Sequence, residues 1–219
     1  MVTVAHLVEK MIEQKPFLQE SLNQGIINNA ALAERLLPQV EKELKKRVKF
    51  SAVNMAIRRL GEKLKKSFVH TVKFDLNSDI TIKSNLVEII VYKTEELQNN
   101  IKKLYTIVNL NKGDFMTITQ GLHEVMIITN QKHEPKVLDV FLGSTVKKKI
   151  RNLSSLTINI PEESVETMGF FYLVTRTLNW ENINIIDIVS TFTEMTFIIK
   201  EKDTSRAFEV LSKLIKENS

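Results

Sequence analysis

Cysteine, histidine and clustered acidic residues are the side chains that most often carry chemistry, and this 219-residue chain uses them sparsely. The absence of cysteine excludes thiol catalysis and disulfides, and it removes the commonest zinc ligand. The four histidines, His6, His70, His123 and His133, are far apart, and neither His-Glu pair has the second histidine of a zinc-binding helix. Six glycines form no phosphate-binding loop. We therefore predict no catalytic residue, metal site or cofactor, and we interpret the chain as a non-enzyme.

The charged residues near the N-terminus are more informative. Residues 1–70 carry 13 basic and 7 acidic side chains, whereas residues 71–219, with 18 basic and 19 acidic, are nearly neutral. The net charge of +5 therefore originates in the first third of the chain. Such asymmetry is typical of a segment with an anionic partner, most often nucleic acid. A lysine-rich helical surface that contacts only water is the alternative.

A helical pattern would display these cations on one surface. In residues 51–66, Val53, Ile57, Leu60 and Leu64 recur at spacings of three or four, which predicts one buried stripe. The polar residues off that stripe are expected to face solvent and are the candidate DNA contacts: Asn54, Arg58, Arg59, Lys63 and Lys66. Arginine and asparagine can read base edges, while lysine mostly contacts phosphate.

Shorter helices are expected before this one. The signals for their ends are Thr3, Asn29 and Ser51 as N-caps, Pro16 as a helix start, Gly25 as a helix end and Pro38 as an interruption. Short helices before a basic helix resemble helix-turn-helix regulators, whose last helix lies in the major groove of DNA. The stretch from Leu37 to Phe50 is longer than the tight turn of that family. A docking or oligomerisation bundle is therefore the alternative.

The rest of the chain repeats one pattern. A constant offset in residue number pairs Ile118 with Ile188 and Glu124 with Glu194, and it extends without a gap back to Leu86, which it pairs with Leu156. Each copy has the pattern strand, helix, two strands and helix, one strand short of the ferredoxin-like βαββαβ unit. The sequence therefore predicts an α+β protein, with a helical bundle followed by two ferredoxin-like units.

The segment Glu181–Ile215, "ENINIIDIVSTFTEMTFIIKEKDTSRAFEVLSKLI", resembles the regulatory ACT domain of aspartate kinases. The matching residues are Asn182, Ile183, Asn184, Ile185, Ile188, Ser190, Thr191, Asp203, Ala207 and Leu211. The resemblance is weaker for the first copy. It implies paired ACT units that bind small effectors, often amino acids, and pass the signal to an attached module.

The resemblance also implies an effector site between the loop after the first strand of one unit and the second strand of its pair. In the second unit this selects Glu162, Glu163, Ser164, Asn182, Asn184, Ile185 and Asp187. The counterparts in the first unit are Tyr92–Glu95 and Asn111–Phe115. Pro161–Ser164 contains no glycine, and its glutamates would repel a carboxylate. Acids that face the dipole of a following helix are therefore the alternative interpretation.

Each ferredoxin-like unit needs a fourth strand, because otherwise its sheet keeps an exposed edge. Ser144–Ile150 can complete the first unit, whereas only four residues follow Ile215 in the second. We predict that part of Val69–Ile82 pairs into the second sheet, which nests the first unit inside the second, as in the aspartate kinase family. The predicted domains are residues 1–68, 69–152 and 153–219, the last completed by a strand from 69–82.

These patterns predict a cytoplasmic, ligand-responsive regulator that binds double-stranded DNA and senses a small effector, such as an amino acid, with tandem ACT units. The alternative is a regulatory subunit or scaffold that does not bind DNA and acts on an enzyme of amino-acid metabolism. Either form is expected to be a homodimer or a higher homo-oligomer. No membrane association is expected, since no apolar run approaches the ~18 residues of a membrane span.

Overall fold

The structure, a computed structural model, describes residues 3–67, 74, 78–141, 146–167 and 169–218, with the backbone alone described for residues 16, 65–67, 164 and 165. The chain divides into two compact units, Met1–His70 and Thr71–Ser219. The expected α+β class is confirmed, because the first unit is helical and the second combines helices with an antiparallel sheet. In the described ranges, no helix is long and apolar enough to cross a membrane.

The first unit, here named the helical module, consists of α1 (Val4–Glu13), α2 (Pro16–Gln24), α3 (Asn29–Leu44) and α4 (Phe50–Ser67). Their apolar stripes meet in one core, whose fully buried members are Val8, Ile12, Ala33, Val40, Val53 and Ile57. The Thr3 hydroxyl accepts a hydrogen bond from the N–H of His6 at 3.2 Å, so the expected N-cap of α1 is confirmed. Pro16 begins α2, and Gly25 ends it with φ at 71°.

Two expectations for α3 are wrong. The amide oxygen of Asn28, rather than that of Asn29, caps this helix by accepting hydrogen bonds from two backbone N–H groups of the first turn. Pro38 does not interrupt the helix, which continues to Leu44. Proline removes one backbone hydrogen bond from a helix interior. Burial of Leu36 and Val40 on either side of it holds the helix together.

The connection between α3 and α4 is shorter than the sequence suggested. It contains only Lys45–Lys49, because α3 runs past Pro38. Helix α4 begins at Phe50, so Ser51 lies inside the helix and is not the expected N-cap. Lys45 adopts a left-handed conformation at φ 52°, which ends α3. The predicted stripe of α4 is buried at Val53, Ile57 and Leu60. The helix-turn-helix assignment itself stays a prediction.

The second unit, here named the sheet unit, contains one six-stranded sheet in the order β2-β3-β1-β4-β6-β5. The strands are β1 (Ile80–Tyr92), β2 (Met116–Gln120), β3 (Glu124–Asn130), β4 (Val146–Asn159), β5 (Ile185–Ser190) and β6 (Glu194–Lys200). The helices are α5 (Leu97–Ile107), α6 (Glu134–Phe141), α7 (Phe170–Trp180) and α8 (Thr204–Glu217). Every ladder is antiparallel.

The two central strands, β1 and β4, are each shared between the two repeats. The first half of β1 pairs with the second half of β4, from Ile80 opposite Ile158 to Lys83 opposite Ser155. The second half of β1 pairs with the first half of β4, up to Val91 opposite Val146. Part of Val69–Ile82 thus forms a ladder with the strand that begins the second repeat. Residues 69–73 and 75–77 of that predicted strand lie outside the described residues.

A bulge interrupts each shared strand near its middle. Asn85 in β1 and Asn152 in β4 have φ values of 56° and 58°, and the β1–β4 register shifts beside them. Bulges bend a strand and increase its twist, so the helix-free faces of the two halves can approach each other. A buried cluster on that face draws one residue from each of four strands: Leu86, Ile128, Leu153 and Ile198.

The two repeats were expected to align without a gap, and this expectation is wrong. The ladders make Leu86 equivalent to Leu153 rather than to Leu156, because Leu86 and Leu153 lie opposite Asn130 and Lys200. The pairing of Ile118 with Ile188 is kept, since these residues lie opposite Ile127 and Phe197. Helix α7 starts later in its repeat than α5 does in the first. The second repeat therefore has six more residues before its first helix and three fewer after it.

Each repeat covers one face of the sheet with two helices. In the first, Val87, Ile89, Val125 and Ile127 pack against α5 and α6. In the second, Phe197 and Ile199 pack against α7 and α8 together with Phe74. Phe74 lies on the segment that leads from the helical module to β1. Its N–H donates to the carbonyl of Asn218 at 2.8 Å, and its ring lies 5.5 Å from that of Phe170.

Asn152 should respond to substitution through its backbone. We expect Asn152→Gly to leave stability nearly unchanged, because glycine adopts the left-handed conformation readily. We expect Asn152→Ala to cost about 1 kcal/mol, because alanine lacks the polar side chain that lets asparagine tolerate that conformation. Urea unfolding of the full chain measures both. Asn159→Ala, at the exposed end of the same strand, serves as the control. Equal effects of the glycine and alanine variants would contradict the bulge.

Phe74 should behave as a core residue of the second repeat. Its side chain is only 4% exposed, so we expect Phe74→Ala to destabilise the chain by about 3–5 kcal/mol. Phe192→Ala is the matched control, because Phe192 lies between β5 and β6 and is 58% exposed. Chemical denaturation followed by circular dichroism compares them. If the two variants lose the same stability, the segment before β1 is not anchored here.

Candidate functional site

The loop between β4 and α7 is the first half of the site that the sequence selected. It contains ten residues, against four between β1 and α5, and it holds a short 3₁₀ turn, Glu162–Val165. Glu162 and Glu163 are exposed, while the side chain of Ser164 lies outside the described residues. The six additional residues make this the longer of the two equivalent loops in the sheet unit.

The acids of this loop were expected to face the dipole of a helix that follows directly, but that helix, α7, begins only at Phe170. Gly169 precedes it with φ at 88°, a conformation that needs glycine, and no atom lies within 4 Å of a Cβ built there. Glu162 and Glu163 therefore do not belong to the first turn of α7, and a helix dipole does not explain them. The loop also has the glycine that Pro161–Ser164 lacks.

The second half of the site lies on β5 and the turn before it. Asn182 is in a left-handed conformation at φ 54°, and Ile185 begins the strand. Asp187 accepts a hydrogen bond from the N–H of Ile188 at 2.7 Å through Oδ1. Its Oδ2 is shielded from solvent and has no hydrogen-bond partner in the described part of the chain. Asn184 is exposed, whereas Ile185 and Asp187 are half-buried.

Within one chain the two halves do not meet. Strand β6 lies between them: its residue Glu194 pairs with Asn159, beside the loop, and its Ile199 pairs with Ile185. Five residues of strand separate these points, which is about 17 Å. Strand β5 is an outer strand of the sheet, with one edge unpaired among the described strands. In the described part of the chain, the loop after β4 does not reach that edge.

Glu88 is a functional candidate that the sequence analysis missed. This β1 residue is only 4% exposed, and its Oε2 has no hydrogen-bond partner among the described residues. Burial, and then the negative charge of Asp187, raise the pKa of Glu88 above its usual value, while Lys148 and Lys200 act in the opposite direction. The only sequence signal was a charged residue within the apolar run "LVEIIVY".

Shielded polar atoms recur at equivalent positions of the two repeats. The corrected equivalences relate Glu88 to Ser155, and Thr117 to Asp187. Each of these four residues has one shielded side-chain oxygen without a hydrogen-bond partner in the described structure. Such groups are rare in folded proteins and need an explanation. The carboxylates of Glu88 and Asp187 thus have hydroxyl groups as their counterparts in the other repeat.

In the first repeat, the chain closes the equivalent turn with its own side chains. Asp114, in the turn before β2, forms an ion pair with Lys132 at 2.5 Å and contacts Nε2 of His133 at 2.8 Å. The hydrogen bond from Lys132 and one from the Asn109 N–H hold the pKa of Asp114 well below its usual range. Within the stretch Asn111–Phe115, the Asp114 carboxylate therefore already has partners in the same chain. No group of three or more acidic or histidine side chains in the described ranges is arranged for a metal ion.

The candidate DNA contacts on α4 are partly neutralised within the helical module. Arg58 pairs with Glu62 at 3.3 Å, and Lys63 pairs with Glu9 of α1 at 2.5 Å, which raises the pKa of Lys63. Arg59 is exposed. Asn54 is half-buried, and the side chain of Lys66 lies outside the described residues.

A groove of about 480 Å³ between α1 and α4 has Arg59 and Lys63 on its walls. Its remaining lining is largely apolar and small: Thr3, Val4, Ala5, Ala52, Met55, Ala56 and Leu60, with Glu9 as the one acid. The exposed half of Met55 adds to this apolar surface. A concave apolar surface flanked by cations differs from the continuous cationic face that tracks a phosphate backbone.

Replacing Glu88 tests its buried carboxyl group. A carboxyl with a raised pKa in the folded state stabilises the fold most at low pH, and that contribution is lost as pH rises through the raised pKa. We therefore expect Glu88→Gln to gain stability over the native chain as pH rises toward neutral, by more than the roughly 0.5 kcal/mol typical of surface changes. Urea unfolding across pH measures this. Glu194→Gln, exposed on β6, is the control. A difference independent of pH would contradict the prediction.

Comparison with solved structures shows which known folds the chain resembles. The chain is similar to the aspartokinase alpha and beta subunits, with 16% identity and a TM-score of 0.50 over 63% of this chain and 97% of that one. Aspartate kinase from Clostridium acetobutylicum gives 15% identity and a TM-score of 0.50 over 62% of this chain and 34% of that one. Aspartate kinase from Synechocystis gives 10% identity and a TM-score of 0.50 over 77% of this chain and 32% of that one.

No protein-family profile and no curated protein sequence matches the chain. At identities of 10–16% the likeness to these structures concerns the fold. The chain spans about a third of the length of the two complete aspartate kinases that it matches. The chain is therefore similar in fold to the matched parts of these aspartate kinase structures.

Proposed function

We propose that this chain is a ligand-responsive regulatory protein, whose sheet unit binds a small effector and whose helical module acts on an enzyme of amino-acid metabolism. One observation carries the proposal: two interlocked repeats in one sheet share the fold of aspartate kinase regulatory domains. A regulatory role needs no catalytic group of its own. The dispersed histidines and the lack of cysteine agree with such a role.

The effector site of this proposal lies across the edge of β5. The loop residues Glu162, Glu163 and Ser164 would come from one copy, and Asn182, Asn184, Ile185 and Asp187 from the other. A homodimer is required, because the two groups lie about five residues of strand apart in one chain. The unpaired edge of β5 and the open space around Gly169 support this arrangement. Asn184 supplies donors and an acceptor for an α-amino or carboxylate group.

Phe170 connects this loop to the chain segment that precedes β1. Phe170 is the first residue after the loop, and its ring contacts Phe74 with centroids 5.5 Å apart. Phe74 lies on the chain segment that joins the helical module to β1. An effector that reorders the loop would therefore shift Phe170 and, through it, Phe74, which attaches that segment to the second repeat. Both rings are buried, so a displacement of one is transmitted to the other.

The helical module is better suited to a protein partner than to DNA. Two of its candidate base-reading or phosphate-binding cations, Arg58 and Lys63, are already paired with acids. The groove beside them is largely apolar, which favours contact with a protein surface. DNA binding through Asn54, Arg58, Arg59, Lys63 and Lys66 is the competing hypothesis, supported by the excess of basic side chains within positions 1–70.

The decisive experiment reconstitutes the regulation. The tagged full chain is purified from its own cells after mild cross-linking, each co-purified enzyme is produced separately, and its activity is assayed with and without the chain and single amino acids. We expect one enzyme whose activity changes in an effector-dependent manner. Arg59→Glu should weaken that effect at least about tenfold, since a rim charge is reversed, whereas Lys42→Glu on α3 should not.

The opposite result is equally clear. The proposal fails if no co-purified enzyme responds to the chain, or if the full chain retards a specific DNA fragment in a manner that Arg59→Glu abolishes. Mobility-shift assays with fragments of the same genome make that comparison. The same DNA result would establish the competing hypothesis.

A further inference from the structure

A separate pocket lies where the start of β1 meets α8. Its volume is about 410 Å³, within the range of small-molecule sites. Ser78, Asp79 and Ile80 line one wall, and Phe208 and Ser212 belong to the other. It lies on the helix-covered side of the second repeat, away from the edge of β5 that carries the proposed effector site. It involves none of the residues that the sequence selected.

The walls combine three kinds of chemistry. Ile80, Ile215 and the ring of Phe208, which is 41% exposed, form an apolar surface that solvent can reach. Lys216 supplies an ammonium group and Asp79 a carboxylate, and neither forms an ion pair within the described residues. Opposite charges in the same pocket can each bind one end of a dipolar ligand.

Two serine residues line the pocket, Ser78 and Ser212. The hydroxyl oxygen of Ser78 is shielded from solvent yet has no hydrogen-bond partner in the described part of the chain. Because this oxygen has almost no accessible surface, it lies behind the wall of the pocket rather than on it. Ser212, half-buried on α8, faces the same cavity and offers a hydroxyl group.

From these features we infer that the pocket between β1 and α8 binds a free apolar α-amino acid. Its carboxylate meets Lys216, its ammonium meets Asp79, and its side chain packs on Phe208 and Ile80. The inference deepens the proposed function by supplying an effector and a site, and it can fail while the regulatory role stands. The site is complete within one chain, unlike the one across the edge of β5.

The position of the pocket gives its occupant a mechanical role. Asp79 and Ser78 lie five and four residues after Phe74, on the segment that comes from the helical module. The N–H of Phe74 donates a hydrogen bond to the carbonyl of Asn218, directly after α8. An amino acid held between Asp79 and Lys216 therefore ties the end of this segment to the helix a second time. Binding is expected to strengthen the attachment of Ser78 and Asp79 to α8.

Calorimetric titration of the full chain with L-leucine tests the site. We expect saturable binding that weakens about tenfold to a hundredfold in Lys216→Met and in Asp79→Asn, because each removes a charge-assisted hydrogen bond. Both side chains are exposed, so neither variant should unfold the protein. Two ligands provide matched controls: 4-methylpentanoate lacks the ammonium group and leucinol lacks the carboxylate. Each should bind at least about tenfold more weakly than leucine.

Variants outside the pocket separate this site from the others. Lys213→Met and Glu209→Gln, also exposed on α8, should bind leucine like the native chain. Asn184→Ala should do so as well. The inference is wrong if leucine gives no saturable binding, or if Lys216→Met and Asp79→Asn bind it normally. Binding that is lost in Asn184→Ala instead would place the amino acid at the edge of β5 and leave the regulatory proposal intact.

Discussion

The antiparallel ladder between β1 and β4 is the interaction on which the sheet unit depends. Each strand serves two repeats, so each repeat is closed by a strand segment that belongs in sequence to the other. Strand edges left unpaired invite aggregation, and sharing closes the inner edge of each repeat, whereas the outer edges of β2 and β5 have no partner among the described strands. The arrangement has a geometric requirement, because one strand must follow two sheet halves. Asn85 and Asn152 meet it by adopting left-handed conformations at the two bulges.

Polar groups are buried at the centre of the unit, on the face without helices. There, one apolar residue from each of four neighbouring strands is fully buried. Glu88 and Asp187 sit near this cluster with shielded oxygens and few partners. Hydrophobic residues of similar size would pack there at lower energetic cost. Burial raises the pKa of Glu88, so the charge of this residue makes the stability of the junction depend on pH, in a way that an apolar junction would not.

Local signals in the sequence predicted local structure well. Thr3 is a cap because its hydroxyl reaches a free N–H, and the stripe Val53, Ile57 and Leu60 is buried because helical spacing aligns it. Alignment of the repeats failed where strands are buried on both faces, as in "LVEIIVY". Such runs lack the alternation that would fix their register. The six added residues before α7 are only partly offset by the three missing after it, so the offset that relates β2 to β5 does not apply to β1 and β4. Glu88 was missed for a related reason, since its importance comes from strands distant in sequence.

The shared strands also impose an order of events on biosynthesis. Ile80–Lys83 leaves the ribosome early, but its partner, Ser155–Ile158, follows only after the whole of the first repeat has been synthesised. At about 5–20 residues per second this delay lasts roughly 4–15 seconds. The first repeat can close during that time, whereas the start of β1 stays unpaired as an apolar edge. The nascent chain is thus most vulnerable to mispairing with its neighbours on a polysome, and synonymous codons that slow translation between Lys83 and Ser155 would lengthen that interval.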